Sequence, residues 1–314
     1  MIKYIIKRLF MVIPTLIILS IIIFSIVHLA PGGPIEAMFG YNVKPEDIAK
    51  INEFYGLDDP LPVQYFHWIK KMVSLDFGES IVRGDKILPM ILVRLPRTLV
   101  LTLMSMVIAL TITFPLAIIS AKEHGKAADL IISGISLTFI SMPQFYIAII
   151  LIIIFGLVLR ILPTTSYTFA MGTIKDFLKV TILPATAIGL TQAAGITRML
   201  RAEMVDNLNR EYITFAKAKG ASDGRVLIFH NLRNSLIATS TFIGMGTGYL
   251  LGGVVIIEKV FTFPGMGQLL LDSVERRDYP VIQETVLIFC FIFIIINLVT
   301  DLLYAVLDPR IRYK

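Results

Sequence analysis

The sequence predicts an all-α membrane protein with six transmembrane helices and a long extracytoplasmic segment between the first and the second. Three observations carry this. Of 314 residues, 56% are hydrophobic and only 17% are charged, where a soluble domain carries roughly 25% charged residues. Mean hydropathy is +0.78. The apolar excess is gathered into blocks of about 20 residues or more, the length that crosses a hydrocarbon core about 30 Å thick.

Residues 1–30 hold the first block, about Leu9 to Leu29, behind Lys3, Lys7 and Arg8. It is longer than the roughly 7–15 residues of a signal-peptide core, so it is read as a retained anchor. Residues 31–94 are polar and long enough to fold outside the bilayer. Pro45-Glu46-Asp47 opens one short helix there, with Ile48, Ile51 and Tyr55 on one face and Gly56 at its end. A second starts at Pro62, with Phe66, Ile69 and Val73 expected on its apolar side.

The remaining five spans form a core over 95–307. Span two covers about Thr98 to Ala121, and a short basic loop with Lys122, His124 and Lys126 follows. Span three, about Leu130 to Leu159, exceeds the minimum length and is expected to tilt or kink near Pro143. Span four is about Val180 to Leu200, span five about Leu236 to Ile257, and span six about Val281 to Leu307. A basic tail occupies 308–314. Discounting the long 31–94 segment, Lys and Arg gather at the N-terminus, the 122–126 loop, the 201–234 loop and the tail. The positive-inside rule then places both termini in the cytoplasm of a cell membrane.

Several function classes fit poorly. The four histidines are scattered and lack metal-ligand spacing, and the single cysteine, Cys290, cannot form an intrachain disulfide. No serine-base or carboxylate cluster suggests an enzyme. No phosphate-binding loop of the Gly-x-x-x-x-Gly-Lys-Ser/Thr type occurs, so the chain has no recognisable ATP site. Paired broken helices in two related halves are missing, and acids at mid-membrane depth are few, which argues against a self-powered carrier or channel. The net charge of +6 reflects basic loops rather than nucleic-acid binding.

The most informative segment is Glu211-Tyr-Ile-Thr-Phe-Ala-Lys-Ala-Lys-Gly220, followed by Ala221-Ser-Asp-Gly-Arg225 and a run to Leu236. It reads as two helices with a break between them. The first is expected from about Met204 to Lys219, with Asp206 and Arg210 at i,i+4 spacing. Gly220 suits a left-handed terminating residue, and Ser222 suits the cap of the next helix. Ala216 and Ala218 leave room for another surface to approach. An amphipathic helix pair without a partner would look similar.

This segment resembles the EAA loop of ATP-binding-cassette importers, by which a permease docks on its ATPase. The resemblance extends over nearly the whole chain to binding-protein-dependent peptide and nickel permeases, specifically the first permease of a pair. It rests on Gly56-Leu-Asp-Asp-Pro-Leu-Pro-Val-Gln-Tyr65, Leu75-Asp-Phe-Gly-Glu-Ser80, Arg94-Leu-Pro-Arg-Thr-Leu99, Ser141-Met-Pro143, Phe263-Pro-Gly-Met-Gly267, Arg277-Asp-Tyr-Pro-Val-Ile-Gln283 and Asp308-Pro-Arg310. One departure is Ala238, which follows Leu236-Ile237 where the family places a proline; its loss is expected to straighten the approach to span five.

The resemblance implies a type I importer permease fold and no catalytic residues or cofactor of its own. The implied partners are a second homologous permease, two ATPase subunits that bind ATP and Mg, an extracytoplasmic solute-binding protein, and membrane lipid. Glu211, Ala216, Lys217, Ala218, Lys219 and Gly220 are the implied ATPase contact. The implied cargo is a dipeptide or oligopeptide, with nickel as the runner-up and glutathione or sugar as known variants. Gly244, Gly248 and Gly252 in span five serve either a subunit interface or gate, or ordinary helix packing. Gln144, Gln192 and Asn297 either touch the transported solute or hydrogen-bond between helices.

Overall fold

The computed structural model describes residues 2–29, 58–166 and 173–307. Regular structure among them is helical, apart from an isolated antiparallel bridge between Glu79 and Lys86. The helices are α1 (Ile2–His28), α2 (Leu61–Val73), α3 (Ile87–Lys122), α4 (Ala127–Ser141), α5 (Gln144–Leu151), α6 (Ile174–Leu208), α7 (Glu211–Ala218), α8 (Arg233–Val260), α9 (Met266–Glu275) and α10 (Tyr279–Leu307). The helix expected at Pro45 and the basic tail lie outside the described residues.

Helices α3, α6 and α10 are each long and apolar enough to cross a bilayer. Helices α4 and α5, the latter extended by a π-helical turn over Ile152–Val158, form a broken span bent by 105°. A second bent pair is Asp223–Gly248 with Gly252–Val260, its 52° bend lying inside α8, and α1 contributes a shorter apolar run, Phe10–Ile26. Counting each bent pair as one span gives five among the described residues, and the shorter apolar run of α1 stands where the sequence expects the first. The boundary drawn at 94/95 falls inside α3.

Span three kinks at Pro143 as expected, sharply enough to break the helix. Met142 takes φ −85°, ψ 134° and Pro143 φ −59°, ψ 140°, because the proline ring forces the residue before it out of the helical region. The chain turns through the extended pair and restarts at Gln144.

Contacts divide the chain into two compact units, Ile2–Thr98 with Pro264–Ile295, and Leu99–Phe263 with the chain from Ile296. In the first, Phe77, Ile87, Ile91, Met266, Leu269 and Val281 form the core. Asp278 accepts from the Ser80 hydroxyl at 2.5 Å and from the Ile81 amide at 3.3 Å, fixing the turn before α3. The Thr98 hydroxyl accepts from the Met266 amide at 2.8 Å, which satisfies one of the unpaired N–H groups at the start of α9.

Helix α2 lies against α1 by a different face from the one expected. Tyr65 meets Ser20 at 2.8 Å, Gln64 meets His28 Nε2 at 3.0 Å, and the Trp68 indole donates to Glu284 at 2.9 Å. Ile69 shares the inner side, but Phe66 and Val73 are 69% and 80% exposed. The amphipathic aromatics turn inward because each brings a polar tip that finds a partner in a low-dielectric setting.

In the second unit, α6 packs beside α4, α5 and α8. Its first turn is closed by a capping box between Thr173 and Asp176. Leu183, Ile188, Leu250, Val254, Ile257, Phe261 and Phe263 lead the core. Lipid tails are as apolar as leucine, so these helices are held by close packing rather than by exclusion of water. Gly189 faces backbone at close range: a Cβ there would lie 2.9 Å from the Ser105 carbonyl and 3.0 Å from an Ile108 methyl. Gly189→Val is expected to lower stability by about 1–3 kcal/mol through overpacking, read as a fall in the thermal midpoint of detergent-purified protein.

Candidate functional site

The 201–234 loop does not contain one helix from Met204 to Lys219. Helix α6 runs on to Leu208, the chain breaks at Asn209 and Arg210, and α7 begins at Glu211. Asp206 lies in the last turn of α6 and Arg210 in the break, so the two do not share one helix. Arg210 occupies the cap position with extended geometry, φ −86°, ψ 149°.

The far end of α7 closes as the sequence suggests. Gly220 has φ +83°. Its amide reaches the Lys217 carbonyl at 2.9 Å, and the Ala221 amide reaches Ala216 at 3.2 Å. This pair of bonds is a Schellman motif, in which glycine supplies the left-handed residue. Ser222 does stand at the head of the next turn, but its side chain makes no capping bond. Lys217 and Asp223 form a 3.1 Å ion pair across the bend, which at such exposure contributes little.

Of the predicted contact residues, Glu211, Lys217, Ala218, Lys219 and Gly220 are exposed and Ala216 is half-buried. Ile213 is the fully buried residue of α7, with Tyr212 and Ala216 half-buried beside it. Glu211, Tyr212, Thr214, Phe215 and Ala218 line an open depression of about 610 Å³. Phe215 is 62% exposed with the Lys219 ammonium 4.6 Å above its ring, and Phe229 beyond the bend is 68% exposed. Sequence reasoning missed both rings, although an apolar side chain on the solvent face of a short polar helix is the signal that finds them.

A buried polar network ties the two ends of the loop together. Asn207 donates to the Ser235 hydroxyl at 2.9 Å, Asn231 donates to the Met204 carbonyl at 3.0 Å, and Ser235 donates to the Asn231 carbonyl at 3.0 Å. All three side chains are closed to solvent. The π-helical turn Val226–Leu232 carries Asn231 into this position. Ala238 lies within α8, which passes through it unbroken; the irregular backbone sits upstream instead.

Asp129, in the first turn of α4, is the other centre. Its carboxylate receives Arg201 Nε at 2.5 Å and Nη2 at 2.6 Å, the Ser120 hydroxyl at 2.5 Å and the Gly125 amide at 2.9 Å. His124 Nδ1 lies 3.2 Å away. These bonds use most of the lone-pair sites of a carboxylate. Beside it, hydrogen bonding and the charge of Lys126 hold the Glu123 carboxyl below its usual range. Asp129 was also missed, because an acid at a span end reads as an ordinary helix-start residue.

Span-five glycines serve mixed purposes. A Cβ at Gly244 would collide with Thr300 of α10, so this position is close packing within the chain. Gly248 is buried, whereas Gly252 opens into empty space. The Gln192 amide oxygen lies 3.1 Å from a Cβ built at Gly246, and Gln144 crowds Gly253. Two of the three predicted polar residues thus approach α8 at glycines, one on each side of its bend. Asn297 is half-buried on α10.

Two family profiles match the chain. One, described as the inner membrane component of binding-protein-dependent transport systems, covers residues 113–313, and its N-terminal companion covers 1–102. The glutathione transport system permease protein GsiC of Escherichia coli (strain K12) is 41% identical over 314 residues, with 100% of both chains covered. The protein of that name from Shigella dysenteriae serotype 1 is likewise 41% identical, and that from Salmonella typhi 40%, both over the full length of each chain.

Asp129→Asn is expected to cost about 2–3 kcal/mol, below the full buried-pair value because Arg201 retains some contact with water. Thermal midpoints of Asp129→Asn, Arg201→Gln and the double variant test this, and the double should lose less than the sum of the singles.

Proposed function

This chain belongs to the inner membrane components of binding-protein-dependent transport systems, and we propose that it carries small peptides inward, with a glutathione-sized tripeptide as the first candidate. As a permease subunit of an ATP-binding-cassette importer it is a multi-pass membrane protein and not itself an enzyme. It works with a solute-binding protein and an ATPase. The observation that supports the substrate is identity to glutathione permeases sustained over 100% of both chains.

In this reading both termini and the α6–α8 loop face the cytoplasm. Two ATPase subunits, which hold the ATP and Mg, close on the loops of this permease and of a second, homologous one. Glu211, Ala216, Lys217, Ala218, Lys219 and Gly220 form the contact, and Phe215 supplies its apolar centre. A push on α7 reaches two spans at once, because Asn207, Asn231 and Ser235 bind the end of α6 to the start of α8. The solute then passes beside α8, where Gln144 and Gln192 offer amides to a peptide backbone. Transport requires ATP and solute to favour opposite-facing states by different affinities.

Gly220→Trp is expected to abolish substrate-stimulated ATP hydrolysis in the assembled transporter while membrane insertion persists. A left-handed backbone costs a non-glycine residue about 1–2 kcal/mol, and an indole at the bend obstructs the approaching surface. Normal stimulation in that variant contradicts the assignment of the contact. For the cargo, a strain lacking this gene should lose uptake of labelled glutathione or dipeptide and regain it with the gene restored. Response of labelled nickel alone would reject the peptide reading.

A further inference from the structure

A groove between α4 and α6, with Arg201 in its lining, is not used in the scheme above. It has a volume of about 340 Å³ and is lined by Leu130, Ser133, Ser136, Leu137, Thr197, Arg198 and Arg201, with Ile132 beside them. Leu130, Ser133 and Leu137 follow i, i+3, i+7 spacing and so share a face of α4. Ser136 and Thr197 are buried at its floor. Arg201 is neutralised by Asp129. Among the described residues no carboxylate pairs with Arg198, which stands exposed one turn earlier on α6. The groove therefore joins an uncompensated cation and hydroxyl groups to an apolar rim, where Leu130 and Leu137 are 67% and 50% exposed.

The geometry points to a binding site for an anionic phospholipid, with the phosphate headgroup at Arg198 and the acyl chains along Leu130 and Leu137. A soluble anion has no use for the apolar rim, and a neutral lipid leaves the arginine without its complement. Asp129 marks the end of the span, and the basic loop beyond it bears Lys122 and Lys126, so the groove opens at headgroup depth. Basic pockets between spans on the cytoplasmic side are suited to anionic headgroups. This site depends only on the chain lying in a membrane, not on the nature of its cargo. An occupied groove would brace α4 against α6 beside the clamp that precedes the α7 loop.

The test uses the full chain, purified in detergent and delipidated, with native mass spectrometry as the readout. Phosphatidylglycerol and phosphatidylcholine of matched acyl chains are added in parallel. Wild type should retain phosphatidylglycerol preferentially, and Arg198→Gln should weaken that preference about fivefold, the loss expected for one arginine near a headgroup. Ser133→Trp, which fills the groove without removing charge, should weaken it comparably. Melting curves establish that both variants are folded. Equal retention of the two lipids, or selectivity untouched in both variants, overturns the proposal. Displacement of phosphatidylglycerol by inorganic phosphate overturns the lipid as ligand in favour of a free anion.

Discussion

The carboxylate of Asp129 is the point on which the cytoplasmic end of the helical core depends. It is closed to solvent and receives Arg201, Ser120 and Gly125 together. One side chain thereby joins the end of α3, the loop after it, the start of α4 and the lower part of α6. A buried charge without partners would be too costly to keep, so these elements cannot separate independently. In a bilayer no hydrophobic effect drives helix against helix, which makes such polar fastenings decisive for the arrangement of spans.

The same logic organises the loop beyond. Arg201 lies two turns before the break at Asn209, and Met204 and Leu227 meet in a small core with Leu200, Ala117 and Ala121. The Asn207, Asn231 and Ser235 bonds then fasten both roots of the loop, while α7 itself is anchored inward chiefly through Ile213. A short exposed helix on firmly joined roots transmits displacement rather than absorbing it. Its outer face carries Phe215 and Ala218 among charged residues. The π-helical turn over Val226–Leu232 provides the local irregularity that aligns Asn231 with the end of α6. Such turns inside helices often mark functional positions.

Much of this was legible in the chain. Blocks of apolar residues gave the spans, and Gly220 gave the end of α7 because only a left-handed residue satisfies the last carbonyls there. Other features were not legible because they depend on partners distant in sequence. The inner face of α2 is decided by what meets Tyr65 and Trp68, 45 and 216 residues away, and counting apolar residues selected Phe66 and Val73 instead. Pro143 announced an irregularity, but its 105° size follows from the Met142–Pro143 pair adopting extended backbone together. Asp129 carried no motif; its importance appears only when Arg201, 72 residues later, folds back on it.

The central claim is that α7 is the surface on which an ATPase acts. Disulfide trapping tests it directly, since Cys290 is the sole native cysteine and can be replaced. Single cysteines introduced at Lys217 and, as a control, at Leu130 would be paired with cysteines along the groove of the partner ATPase in assembled transporter. The account predicts rapid trapping from position 217, altered in extent by ATP, and none from position 130. Failure to trap at 217, or equal trapping from both positions, would contradict it.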